Sequence, residues 1–283
     1  MFSTSKFVRQ FWIVVQLVSS IAMIVLIKNM LASGMAPLIM TTEMMLSGGA
    51  ILLILLILRR EKINKREIIQ IFPAGVVGGC LAFWIGFIGL SMTQASNYAF
   101  LTRFTVVFTC LLSYFILREK WTVNKTIVII LIMFGSFLMS GSGSIMAIGK
   151  GDLIVVLSSL LYSLSYVLVA KAMRQVSALA AATYRSLIGG LALLILCIAS
   201  SQTLIIPDVK ILIAGILVAL AVLSAHKIIR IVNASYMVLI TSVIPVMTAI
   251  IMIIFFGEKL SGWQLLGGST ILFGSWLTSV ESS

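Results

Sequence analysis

The stretch ASNYAFLTRFTVVFTC, residues 95–110, carries one full charge, Arg103, among apolar and small residues. Tyr98, Thr102, Thr105, Thr109 and Ser113 recur at steps of three or four, so they share one face of a helix. A guanidinium near such hydroxyls can hold a carboxylate or similar anion through its planar fork of donors. The hydroxyls can equally bond back to their own helix or bridge to neighbouring ones. One acid stands at a comparable place in an apolar segment: Glu43, in MTTEMMLSGG. Both charges lie seven or eight residues from the start of their segments, roughly 10–12 Å along a helix rising 1.5 Å per residue. A charge inside a membrane is expensive and is expected to have a partner. Two roles are therefore open to Arg103: an intramembrane pair with Glu43, or contact with a substrate. At about 100° per residue, Arg103 is turned away from most of the hydroxyl stripe. That favours a neighbouring helix over whatever the stripe faces.

Further polar and aromatic residues repeat at helical spacing. Ser159, Tyr162, Ser163 and Tyr166 share a face, and Gln16, Ser19, Ser20 and Met23 form the aligned face of the first segment. Thr241 and Thr248 align with Thr102 and Thr109, and Trp84 and Phe87 stand on the third segment. Aromatics with a few hydroxyls would line an adaptable pocket for a small organic solute; ordinary helix packing would use the same tyrosines. His226, beside Lys227, reads as a residue of the membrane interface rather than a proton relay. Arg185, in TYRSLIGG, is expected to snorkel to headgroups. Gly75 and Gly79 form a small-xxx-small pair suited to close helix approach.

The elements that must position these residues follow from composition. Of 283 residues, 61% are hydrophobic and 10% charged, against about a quarter charged in soluble domains. The solvent is a bilayer. Turn residues and charges delimit ten apolar spans, roughly 11–30, 36–58, 70–91, 95–117, 124–141, 152–172, 178–200, 209–226, 232–256 and 261–280. Unpaired backbone is not tolerated in lipid, so each is expected to be a helix. With the N-terminus inside, fourteen of the twenty Lys and Arg fall on the inner side and four on the outer. This bias places both termini inside. The net charge of +12 sits in short loops, with no basic arm, which excludes nucleic acid as the partner. Cys80, Cys110 and Cys197 lie inside apolar segments and read as packing residues.

The chain also repeats itself. Sliding it by 139 residues aligns 95–138 with 234–277, with twelve of 44 positions identical. Ala95-Ser96 falls on Ala234-Ser235, Glu119-Lys120 on Glu258-Lys259, and Phe134-Gly135-Ser136 on Phe273-Gly274-Ser275. Gly48-Gly49 corresponds to Gly189-Gly190 within a residue. The halves are 1–141 and 142–283. Each has five spans, an odd number, so the second is inverted relative to the first. Inverted repeats mark many secondary transporters, with the substrate site near the midplane.

QASNYAFLTRFTVVFTCLLSYFILREK and its echo VNASYMVLITSVIPVMTAIIMIIFFGEK resemble the two signature regions of the drug/metabolite transporter superfamily, in its EamA-type ten-helix branch. The second repeat matches at Ala234, Pro245 and Gly257-Glu258-Lys259. The first departs, with Val106 where a proline would stand and Arg118 in place of the glycine. The resemblance implies an all-α membrane fold of two inverted five-helix repeats. It also implies a central cavity lined by spans 1, 3, 4, 6, 8 and 9, with spans 5 and 10 outside it.

No enzyme is expected. GSGSIMAIGK lacks the spacing of a phosphate loop, and Lys150 is followed by Gly151 rather than Ser or Thr. A single histidine excludes a paired-His zinc motif, and no cofactor or metal site is legible. The expected function is secondary transport, by export or exchange, of a small metabolite such as an amino acid across the cytoplasmic membrane. The lipid bilayer is the surrounding partner, and the oligomeric state is open. A membrane receptor or lipid-handling protein on the same scaffold is the alternative.

Overall fold

The structure, a computed structural model, describes residues 2–61, 64–93, 98, 100–139, 149–202, 209–256 and 261–281. Ala95-Ser96, Gly257-Glu258-Lys259, Asp208 and residues 140–148 of the Gly/Ser-rich connection lie outside them. Among the described residues there are helices at all ten expected spans and no strand. Spans 1, 2, 6, 7 and 8 are the continuous helices Phe2–Ala32, Pro37–Leu58, Lys150–Ala172, Ala178–Ala199 and Val209–Ile231. Spans 5 and 10 are Val123–Met139 and Gly262–Glu281. Spans 3, 4 and 9 change helical type along their length. Six of the described helices are long and apolar enough to cross a membrane.

Three spans differ from the expected boundaries by five residues or more. Span 1 starts at Phe2 rather than near 11, span 3 starts at Lys65 rather than 70, and span 8 runs to Ile231 rather than 226. Hydropathy marks the part of a helix suited to oil, whereas Lys, Arg and Gln propagate the same helix into water at little cost. Helix ends follow local chemistry. Pro37 occupies the first turn of span 2, where its missing N–H is not needed. Ser177 caps span 7 by accepting the Ala180 N–H at 3.0 Å, and its own hydroxyl donates to Glu61. Arg60 and Ser201 end spans 2 and 7 with left-handed backbones, φ 54° and 53°. Behind them Glu61 N–H bonds Leu56 O and Gln202 N–H bonds Cys197 O, the same C-terminal motif twice.

The chain forms two compact units. One comprises Met1–Trp84 and Leu164–Asn233, the other Ile85–Ser163 and Ala234–Ser283. Each draws helices from both sequence halves. In the first unit, span 2 packs on span 7 and span 1 on span 8. A Cβ on Gly49 would meet Leu187 Cδ2 at 2.7 Å, and a Cβ on Gly190 would meet Leu46 Cδ2 at 2.9 Å. The two contacts exchange under a 141-residue shift. Gly79 of span 3 lies against Gly189, its added Cβ 2.9 Å from Gly189 Cα, so the Gly75/Gly79 pair serves packing as expected. In the second unit, span 5 packs on span 10. Gly135 faces Ile271 and the Gly267 carbonyl; Gly274 faces Ile132 and the Val128 carbonyl. These contacts exchange under the 139-residue shift. Without a hydrophobic drive between helices in lipid, such close packing and interhelical hydrogen bonds supply much of the association energy.

Candidate functional site

In the second unit, span 4 is broken where its chemistry lies. Thr102 and Arg103 form a turn, and helix resumes as Phe104–Leu112. The backbone tightens to three-residue bonds: Arg103 N–H to Phe100 O, Thr105 N–H to Thr102 O, Val106 N–H to Arg103 O. In a regular helix the Thr105 N–H would reach Leu101 O. Here that carbonyl instead accepts the Ser159 hydroxyl of span 6 at 3.2 Å. One turn on, Ser163 donates to Thr105 O at 3.0 Å. A threonine in a helix commonly bonds the carbonyl four residues back. For Thr109 that acceptor is Thr105 O, which Ser163 occupies. Thr109 is wholly buried, and its hydroxyl has no hydrogen-bond partner among the described residues.

Span 9 breaks at the repeat-equivalent place. It runs Ala234–Ile240, then a tighter 3-10 turn Thr241–Val243, then Ile244–Phe256. Pro245 has no N–H to give to Thr241 O, and the Ile244 N–H bonds that oxygen instead. The Thr241 and Thr248 hydroxyls bond back to Met237 O at 2.8 Å and Ile244 O at 2.9 Å. Span 4 makes the corresponding break with Val106 in place of proline, using the Ser159 hydroxyl to satisfy the freed carbonyl.

Arg103 stands at the start of the resumed helix, half-buried, with Nη2 3.5 Å from Thr102 Oγ1. Tyr98 and Tyr162 are half-buried in the same unit.

The other candidates belong to the first unit. Gln16 donates to Ser20 Oγ at 3.0 Å and accepts from Ser224 of span 8 at 2.6 Å. Ser19 bonds Val15 O at 2.6 Å. This sub-cluster joins spans 1 and 8, and Ser224 was not among the expected residues. Trp84 and Tyr166 are half-buried. Glu43 is buried at 6% exposure, in the first unit, while Arg103 is in the second. Their pairing stands as a proposal.

Two sequence expectations are overturned. Arg185 does not reach for headgroups: it is 2% exposed, and its Nε donates to Ser165 Oγ of span 6 at 3.1 Å. Ser165 in turn donates to Ala74 O at 2.9 Å, where span 3 passes into the π-helical turn Gly75–Ala82. A Cβ on Gly78 would overlap Ser165 Oγ and lie 2.9 Å from Arg185 Nη2, so the glycine makes room for the serine and the guanidinium together. His226 is not interfacial. It is fully buried, span 8 continues past it, and its Nδ1–H donates to Val222 O at 2.6 Å. Its Nε2 has no hydrogen-bond partner among the described residues, and Arg185 lies close enough to act on the ring electrostatically. Depth within one span, read from its assumed end, misplaced both residues. Among the described residues no cluster of His, Cys, Asp or Glu could hold a metal.

The EamA-like transporter family matches the chain twice, over residues 10–141 and 149–280. An uncharacterized transporter, YyaM of Bacillus subtilis (strain 168), is 24% identical over 237 residues, 78% of this chain and 77% of that protein. A solved crystal structure superposes with a TM-score of 0.78 at 13% identity, covering 95% of this chain and 98% of that one, which shows the fold. Two matched repeats, helices at ten spans and breaks at equivalent points in spans 4 and 9 place the chain in the EamA-like transporter family, as a multi-pass membrane transporter.

Proposed function

We propose that the chain is a secondary carrier that exports or exchanges a small organic metabolite, such as an amino acid, across the cytoplasmic membrane by alternating access. The observation that carries this is the paired interruption of spans 4 and 9 at Thr102-Arg103 and Thr241–Val243. Broken helices inside membrane proteins are tolerated where they meet protein partners or line a cavity, and transporters place their sites there. The break in span 4 sets a guanidinium beside a hydroxyl, a combination suited to an amphipathic solute with an anionic group. Substrate contact belongs in this reading to Thr102, Arg103 and Thr241, with Tyr98, Thr109, Tyr162 and Thr248 around them.

The test is exchange by purified protein in liposomes carrying Thr102→Val or Thr241→Val. Each keeps side-chain shape and removes one hydroxyl. The proposal expects each folded variant to lose exchange about tenfold, the effect of one lost hydrogen bond of roughly 1.4 kcal/mol. Full exchange in both variants would remove the breaks from the substrate path.

A further inference from the structure

We infer that the contact of Glu119 with the first turn of span 9 is a releasable latch holding the inner ends of spans 4 and 9 together. Span 4 ends in the π-helical turn Ser113–Leu117, and Arg118 follows with a left-handed backbone at φ 58°. The Glu119 N–H returns to Ser113 O at 3.2 Å. Its carboxylate then reaches span 9: Oε1 accepts the Ala234 N–H at 3.2 Å, and Oε2 accepts the Ser235 hydroxyl. Lys125 Nζ stands 3.5 Å from Oε2 and donates to Lys120 O at 2.9 Å, which ties the carboxylate to its own side of the contact. A carboxylate at the start of a helix satisfies free N–H groups and the positive end of the helix dipole.

Two observations favour a releasable contact. Thr109 and Ser113 lie on the same face of span 4, just above the contact. Both are wholly buried, and neither hydroxyl has a hydrogen-bond partner among the described residues. Buried hydroxyls ordinarily find partners, so the closed arrangement leaves two polar groups that opening would hydrate. The sequence also duplicates both sides of the contact. Glu119 is repeated as Glu258, and Ala234-Ser235 as Ala95-Ser96. With five spans per half, the copies fall at the opposite face of the membrane. A carrier that closes one face while opening the other has a use for the contact at each face. The role in transport rests on the carrier proposed above; the opening of spans 4 and 9 does not.

Cys110 reports the state of this contact. It is 1% exposed on span 4, within hydrogen-bonding reach of Ser235. With Cys80→Ala and Cys197→Ala in the full chain, it is the remaining thiol. A membrane-impermeant maleimide is applied to inside-out and right-side-out vesicles. Glu119→Gln and Ser235→Ala are each expected to raise Cys110 labelling about tenfold from the inner face, the effect of one lost charge-assisted hydrogen bond. Labelling from the outer face should not rise. Ser235→Ala removes a single hydroxyl and decides the matter if Glu119→Gln does not fold. Unchanged inner labelling in folded variants would overturn the latch, and so would an equal rise from both faces. Wild-type exchange is measured alongside. Its absence would overturn the carrier proposal while labelling still decides on the latch.

Discussion

A Cβ built on Gly135 of span 5 would stand 2.6 Å from the Gly267 carbonyl oxygen and 2.8 Å from Ile271 Cγ1 on span 10. The oxygen belongs to backbone and cannot swing aside, so Gly135→Ala forces the two helices apart. Overpacking of this kind costs about 1–3 kcal/mol. Alanine returns up to about 1 kcal/mol as the better helix former. The expected net change is a loss of about 1–2 kcal/mol. Gly274 occupies the equivalent position of the second repeat but has more room. Its nearest neighbours would be Leu131 Cβ at 3.3 Å, Ile132 Cγ1 at 3.6 Å and Val128 O at 3.7 Å. There the helix-propensity gain outweighs a mild squeeze, and Gly274→Ala should be neutral or stabilising by up to about 1 kcal/mol. The assay is reversible unfolding in mixed micelles followed by tryptophan fluorescence, with Trp263 and Trp276 on span 10 near the perturbed interface. Equal destabilisation by the two substitutions, or the reverse order, would refute the packing described for spans 5 and 10.

Three further outcomes follow from the same geometry. Ser159→Ala deprives Leu101 O of its partner and should destabilise by about 1–3 kcal/mol, whereas Ser269→Ala on the exposed face of span 10 should stay within about 0.5 kcal/mol; unfolding midpoints compare the two. Arg185→Leu removes the Nε–Ser165 bond and should cost about 2 kcal/mol. A cost near zero would restore the snorkelling arginine. If Glu43 and Arg103 pair within the membrane, Glu43→Gln with Arg103→Gln should be more stable than either single variant, because each single change strands a charge; additive losses in a double-mutant cycle would exclude the pair.

The residues that made the repeat visible are largely those at which the halves touch. Gly49 receives Leu187 and Gly190 receives Leu46; Gly135 and Gly274 face each other's helices; Glu119 holds Ala234-Ser235. Contacts about a pseudo-twofold relation constrain both copies to the same residue type, and identity survives there while lipid-facing positions drift among apolar residues. Ten spans and all-α class were legible from hydropathy alone. The helix breaks were half-legible. Pro245 announces the one in span 9, but Val106 gives no warning in span 4, where a hydroxyl from another helix satisfies the freed carbonyl. Arg185 and His226 were misread because burial depends on neighbouring spans. The room for Arg185 is made by Gly78, about a hundred residues earlier in the chain. Arg118 shows the converse: the family pattern has glycine there, and this chain keeps the left-handed backbone without it.

Solute counterflow in proteoliposomes tests the central claim most directly. Vesicles loaded with unlabelled amino acids, other organic anions or cations are challenged with the labelled compound, for wild type and Arg103→Ala, each checked for folding. A carrier with its site at the span 4 and span 9 breaks predicts accumulation of at least one solute by wild type. It also predicts loss of the anionic solutes in a folded Arg103→Ala variant. No exchange across the panel, under conditions where a known carrier works, would contradict it.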